Sequence, residues 1–191
     1  MSLISDYIDG LGNCLRTLSE QSIIDIVDTI FNAYQKNKQV IIMGNGGSAS
    51  TASHFARDLR IGSRVEGKPR VRATSITDNM AMVTSLANDM DYNSIFREQL
   101  VDQINEGDVV IGISASGNSP NVLNAIEYAR EQGAITIALT GFDGGKLTKL
   151  VDKAIIVSSW DYGQVEDVHL SLDHIITYAV KDKIAARRLE R

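Results

Sequence analysis

The sequence predicts an α/β fold, a three-layer αβα sandwich built on a five-stranded, mostly parallel sheet and preceded by an N-terminal helical hairpin. Three observations predict it. Five short runs are almost purely apolar, the texture of strands buried on both faces, as parallel strands are. Between them lie segments with helical spacing, so strand and helix alternate and βαβ units with right-handed crossovers follow. Ahead of the first run, apolar residues fall only at helical spacing.

Ile4, Ile8, Leu11, Leu15 and Leu18 line one side of a first helix with a narrow seam that asks for another helix. Ile23, Ile24, Val27, Ile30, Phe31 and Tyr34 restart the pattern, and the spacing places Ser22 as the cap of a second helix ending near Lys36. The strands are QVIIMG (39–44), VRATSI (71–76), DVVIGI (108–113), AITIALT (134–140) and KAIIVS (153–158). Helices are predicted at 48–60, 79–88, 92–105, 119–132 and 163–187. The last ends in KDKIAARRLER, whose cations complement the negative end of the helix dipole. The whole chain, 1–191, reads as a single domain, with the hairpin at 1–37 and the α/β core at 38–191.

The charge balance of 19 Lys and Arg against 24 Asp and Glu leaves a net −5. Such a chain has no broad basic field to attract nucleic acid or an anionic membrane, and any anionic ligand must be held by local donors. One cysteine, Cys14, excludes an intrachain disulfide. The start, MSLISDYIDG, lacks the charged and apolar regions of a signal peptide, and no apolar run approaches a membrane span. A cytoplasmic protein is expected, with neither nucleic acid nor membrane as partner. A helical hairpin ahead of an α/β core also offers a surface for a homo-oligomer.

Two loops carry the chemistry. GNGGSAS (44–50) follows the first strand and opens a helix, with Ser48 in the N-cap position; its glycines allow close backbone approach, and the helix start offers free N–H groups to an anion. SASGNSPN (114–121) follows the third strand and opens another helix, with Ser119 as N-cap and Pro120 at the first helical position. The hydroxyls of Ser114, Ser116 and Ser119, with backbone N–H groups, can wrap a single phosphoryl group. In an open α/β sheet both loops lie at the carboxyl ends of strands, where ligands bind. Gly44, Gly46 and Ala49 formally satisfy G-x-G-x-x-G/A, but the first acidic residue after the next strand, Asp78, lies too far along for a dinucleotide fingerprint. GFDGGKL has no Ser or Thr after its Lys, so there is no Walker A, and no nucleotide cofactor is expected.

His54 and Asp58 stand i and i+4 on the helix after the first loop, a spacing by which helices hold metals. Glu166 and His174 are eight residues apart on the last helix, about 12 Å along the axis with roughly 80° of rotation between them. Two histidines and two carboxylates suit zinc or another divalent cation. Asp167 and His174, seven apart, share a helix face, which allows an orienting hydrogen bond. His169 packs or caps within the helix and takes no catalytic role.

GNGGSA, ISASGNSPN and LTGFDGG, in this order and with NDMDYNSIF between the first two, resemble the sugar isomerase (SIS) domain family, and within it the members that isomerise phosphoheptoses. The resemblance covers nearly the whole chain. It implies the SIS, flavodoxin-like version of the fold and a homotetramer whose active sites involve more than one subunit. It implies a phosphosugar substrate held by Asn45, Gly46 and Ser48 of the first loop, Asp78, the serines Ser114, Ser116 and Ser119, and Glu166. The implied catalytic pair is Asp58 and His174, and the implied zinc ligands, one ion per subunit, are His54, Asp58, Glu166 and His174. Three departures from the family pattern stand out. Asp58 replaces a Glu, Glu166 replaces a Gln, and Gly163 stands where an Asp is usual, with Asp161 close by.

The expected reaction is aldose–ketose isomerisation, sedoheptulose 7-phosphate to D-glycero-D-manno-heptose 7-phosphate through an enediol, an entry step to surface-glycan synthesis. It needs a base for the proton alpha to the carbonyl and an acid to move protons between the enediol oxygens, which a carboxylate opposite an imidazole supplies. The alternative is a non-catalytic SIS module that binds a phosphosugar or a replication initiator; the replication-initiator-binding cousin lacks the last-helix His, so the presence of His174 with Asp58 favours the enzyme.

Overall fold

The computed structural model describes residues 2–101 and 103–187. Its elements follow in the order α1 (Leu3–Arg16), α2 (Glu20–Gln35), β1 (Gln39–Gly44), α3 (Gly47–Arg57), β2 (Arg72–Ser75), α4 (Met80–Asp89), α5 (Ile95–Leu100), β3 (Val109–Ser114), α6 (Pro120–Glu131), β4 (Ile135–Gly141), β5 (Lys153–Val157) and α7 (Tyr162–Ala186). The five strands form one sheet in the order β2-β1-β3-β4-β5, and every neighbouring pair is parallel. Of the basic tail, Lys183 lies in the last turn of α7, while residues 188–191 fall outside the described residues.

The alternation of side chains along each strand splits the core in two. Val40, Ile42, Val109, Ile111, Ile113, Ile137 and Leu139 face α1, α2, α3 and α7. Ile41, Met43, Val110 and Ala138 face α5 and α6, with part of α4 packed against them. These two layers of helix around one sheet are the expected sandwich. Along α7 the buried Val165, Val168, Leu172, Ile176, Val180 and Ile184 recur every three or four residues and bind the helix to the sheet. Each such side chain contributes about 1.5–3 kcal/mol on burial.

The strand order places the decisive feature. The chain leaves β1 for β2 on one side and then crosses back to β3 on the other, so the loops after β1 and β3 diverge. A crevice opens between them at the carboxyl ends of the strands, the topological switch point where open α/β sheets bind ligands.

Three local expectations are corrected. Ser19, not Ser22, caps α2: its hydroxyl accepts from the Ser22 N–H at 3.2 Å, leaving Ser22 inside the first turn. The helix read at 92–105 runs only from Ile95 to Leu100, because the Asp91 carboxylate takes the Asn93 N–H and the Ser94 hydroxyl into a turn first. The seam of α1 is only half used. Leu11, Leu15 and Leu18 pack on the core, while Leu3, Ile4 and Ile8 are 86%, 73% and 62% exposed.

Candidate functional site

The serine loop and the glycine loop meet at the switch point. Asn45, Ser48, Ser114, Ala115, Ser116, Ser119, Tyr162 and Glu166 line one pocket of about 180 Å³. Ser119 is the N-cap of α6, with Pro120 at the first helical position as the sequence predicts, but its hydroxyl faces the Ser114 hydroxyl at 3.0 Å rather than capping the helix. Gly46, with φ of 54°, is the N-cap of α3, so Ser48 is not a cap; it lies in the first helical turn, buried, with its side chain on the pocket. The pocket therefore combines the open N–H end of α3 with three serine hydroxyls, a setting for an anion.

The loop after β4 explains the fixed shape of the serine loop. Leu147 N–H donates to the Gly117 carbonyl at 2.9 Å, and Lys146 N–H to the Asn118 side-chain oxygen at 3.2 Å. Gly117 has φ of 62°, and a Cβ there would run into the backbone of Gly144. The DGG turn is thus a backbone mould for the phosphate-type loop.

Asn45 is held by a reciprocal amide pair with buried Asn121, 2.9 Å in both directions, and its oxygen also accepts from the Tyr92 hydroxyl at 3.0 Å. Asn121, Tyr92 and Tyr162 were not read from the sequence as site residues. Asn121 and Tyr92 stand in the quoted SASGNSPN and NDMDYNSIF stretches, which was the available signal.

A second cluster lies further along the same pair of helices. One ligand atom from each of His54, Asp58, Asp173 and His174 falls within 4.8 Å of the others. Asp58 closes α3 and starts a π-turn, Asp58–Gly62, sealed by Ser63 N–H donating to the Asp58 carbonyl at 2.9 Å. Such widened turns recur at functional sites. The Asp58 carboxylate is buried; its Oδ2 lies 3.4 Å from His54 Nε2 and 3.8 Å from His174 Nε2, and its Oδ1 pairs with Arg57. The two imidazoles meet edge to face with ring centres 5.2 Å apart. Burial, with the Asp58 charge beside it, pushes the Asp173 carboxyl up to about 7. His169 is fully buried, its Nε2 3.2 Å from the Thr140 carbonyl, and burial pulls its imidazole down to about 4.

The donor set fits a divalent cation. Ligand atoms about 2.0–2.2 Å from a tetrahedral zinc lie about 3.4 Å from each other, close to the His54–Asp58 and His174–Asp58 separations.

The carboxylates of Glu166, Asp78 and Asp167 lie apart from the histidine cluster, although Glu166 does line the pocket of the serines expected to take the substrate. Glu166 does not join the histidines: its carboxylate lies over Gly47 at the start of α3, in the serine pocket, because it precedes His174 by two turns of α7. Asp78 accepts from the Ser53 hydroxyl and lines a separate cavity of about 370 Å³ with Arg57, Arg60 and Arg70. The reason is topological: β2 is the edge strand on the far side of β1, so its end points away from the switch point. Asp167 accepts a 2.8 Å hydrogen bond from the Tyr7 hydroxyl of α1, rather than orienting His174. Asp173 was missed. Its signal was a carboxylate on the apolar stripe of α7, seven residues before Val180 and beside His174.

The SIS domain family model matches residues 6–141. The chain is 38% identical to the phosphoheptose isomerase of Helicobacter pylori over 171 residues, 90% of this chain and 86% of that one. To the phosphoheptose isomerase of Aquifex aeolicus it is 35% identical over 170 residues, 89% and 88% of the two chains. Among solved structures, phosphoheptose isomerase from Neisseria gonorrhoeae superposes with a TM-score of 0.85 at 26% identity, covering 94% of this chain and 95% of that one. Among the described residues no helix is long and apolar enough to cross a membrane.

Proposed function

This chain belongs to the SIS domain family, and we propose that it is an aldose–ketose isomerase acting on a phosphosugar, sedoheptulose 7-phosphate to D-glycero-D-manno-heptose 7-phosphate. The observation that carries the reading is the presence, along one pair of packed helices, of an anion pocket and a carboxylate–imidazole cluster. The first holds a phosphate and the second moves protons.

The phosphate sits among Ser114, Ser116 and Ser119, with the N–H groups at the start of α3, while Asn45, Ser48 and Glu166 meet the sugar hydroxyls. From Glu166 to His174 is about 12 Å along α7. A zigzag chain advances about 1.25 Å per bond of about 1.5 Å, so an extended heptulose phosphate spans about 10 Å from phosphorus to C1 and a pentulose phosphate about 7.5 Å. The longer chain leaves the smaller gap between the serine pocket and the cluster, so a seven-carbon sugar suits the groove better than a five-carbon one.

There the Asp58 carboxylate removes the proton from the carbon beside the carbonyl, and the His174 imidazole, through a ring nitrogen not engaged by an ion, carries a proton between the two oxygens of the enediol. Arg57 pairs with the other oxygen of that carboxylate, Oδ1, and leaves Oδ2 facing the histidines. His54, Asp58 and His174 would hold a zinc ion, which when bound polarises the carbonyl and stabilises the enediolate.

The chain is read as one SIS domain, since among the described residues α1 and α2 pack on the same sheet face as α3 and α7. A homotetramer is the inferred assembly, its contacts made by the exposed Leu3, Ile4 and Ile8 of α1 and an apolar groove between α2 and α7 that includes Leu18, Ile24 and Ile175. The single buried free thiol, Cys14, accords with a cytoplasmic enzyme of surface-glycan precursor synthesis.

The test is to incubate the protein with five-, six- and seven-carbon ketose phosphates, with and without chelator, and to follow product by NMR. Turnover should be best with the seven-carbon ketose, and Asp58→Asn and His174→Ala should each lower kcat by about 10²–10⁴-fold. Full activity in both variants refutes the catalytic pair, and turnover of none of the sugars by the wild type refutes the enzyme.

A further inference from the structure

We propose that the fourth ligand of the divalent-cation site is Asp173, so that the site is a His₂Asp₂ set built within one protomer from α3 and α7, and that Glu166 is left free for substrate. The proposal rests on the metal-assisted reading above and departs from it in the identity of the ligand.

The first ground is position. Asp173 precedes His174 on α7, and its carboxylate lies with His54, Asp58 and His174 inside the 4.8 Å cluster. Glu166 lies two helical turns earlier, against Gly47 and the serine loop. One side chain is already where the ion would be; the other lies at the opposite end of the groove.

The second ground is an unpaired oxygen. Asp173 is fully buried, and its Oδ1 accepts from the Thr177 hydroxyl at 3.3 Å, but Oδ2 has no hydrogen-bond partner. Buried carboxylate oxygens are almost always paired, because leaving one bare forfeits the hydration it had in water. A buried carboxylate that belongs to a cluster with two imidazoles and a second carboxylate, and keeps one oxygen without a hydrogen-bond partner, has a ligand position to offer a cation. Thr177 then acts as the outer group that fixes the ligand's orientation, as metal-bound carboxylates commonly require.

The third ground is charge. Asp58 and Asp173 are like charges in a buried cluster, a repulsive arrangement by itself. A divalent ion between them makes the set neutral overall with both histidines in the ligating form. Adding Glu166 instead would leave Asp173 beside the ion and unliganded.

The consequence concerns specificity. With the ion satisfied by Asp173, the Glu166 carboxylate remains an acceptor for sugar hydroxyls near the phosphate end of the substrate. Metal affinity and sugar recognition then reside on different residues and respond to different substitutions.

The test uses the full chain stripped by chelator, titrated with Co²⁺ by visible absorption and with Zn²⁺ by calorimetry. The wild type is expected to take up one ion per chain. Asp173→Asn should weaken binding by at least about tenfold and change the Co²⁺ spectrum, since even the outer partners of a ligand cost about 10–100-fold when lost, while Glu166→Gln should leave both unchanged because that side chain lies at Gly47 and the serine loop. Asp173→Ser is the second variant, and thermal unfolding in chelator identifies which variants are folded. Unchanged affinity in a folded Asp173 variant, or loss of binding in Glu166→Gln, overturns the proposal. So does a wild type that binds no ion; turnover of the heptulose phosphate in chelator would then show that the isomerase reading stands without it.

Discussion

Substituting Gly117 by Ala tests whether the backbone mould behind the serine loop sets the phosphate pocket. Gly117 has φ of 62°, a region that costs an Ala about 1–2 kcal/mol relative to Gly. The added Cβ would also lie 2.6 Å from the Gly144 carbonyl carbon, whereas carbon atoms rest at about 3.5 Å or more, so one loop must retreat by about 1 Å. The neighbour is backbone held by the Leu147 to Gly117 hydrogen bond, so no side chain can swing away to relieve it. A shift of about 1 Å in a positioning group costs about 10²-fold in rate. The expected outcome is a kcat/KM for the heptulose phosphate lowered by about that factor, with the melting temperature down by several degrees. Isothermal titration with inorganic phosphate gives the loss at the anion pocket directly. Native kcat/KM and native phosphate affinity in a folded Gly117→Ala protein would refute the idea that the DGG turn shapes the pocket.

His169 predicts a pH dependence. Its imidazole titrates near 4 in the fold and near 6.5 when unfolded, so below 6.5 the unfolded chain binds the extra proton and stability falls as pH drops toward 4. At about 1.36 kcal/mol per unit, the loss approaches about 3 kcal/mol at the low end. In urea unfolding at a series of pH values, His169→Gln should flatten that slope; an unchanged slope would sink the assignment. Asn121→Ala leaves the Asn45 amide nitrogen without its acceptor in a part-buried site, a cost of about 1–3 kcal/mol. Its melting temperature should fall and KM should rise, and a variant with both unchanged would show that the amide pair positions nothing. Ser114→Ala and Ser119→Ala should each raise KM more than they lower kcat, since these hydroxyls bind a group that does not react. Steady-state kinetics that show the opposite split would move the serines out of the phosphate site.

The sequence by itself determined the layers and where the loops fall. Apolar runs of four to seven residues are legible because burial on both sheet faces demands them, and each expected strand lies within about a residue of the observed one. The glycine and serine loops were legible for the same local reason, since positive φ and close backbone approach restrict the residue types allowed. His54 and Asp58 could be paired because i, i+4 proximity is a property of one helix.

Tertiary structure alone decided which distant residues join them. Which end of α7 meets which end of α3 depends on how two helices lie on the sheet, and no spacing within α7 reveals it. That packing brings Asp173 and His174 to Asp58 and leaves Glu166 at Gly47. Likewise, strand order rather than strand sequence turns Asp78 away from the switch point and brings the loops after β1 and β3 together. Local residue types are constrained by backbone geometry within a turn or a helix. The composition of a site drawn from several elements is set by the burial of their other faces.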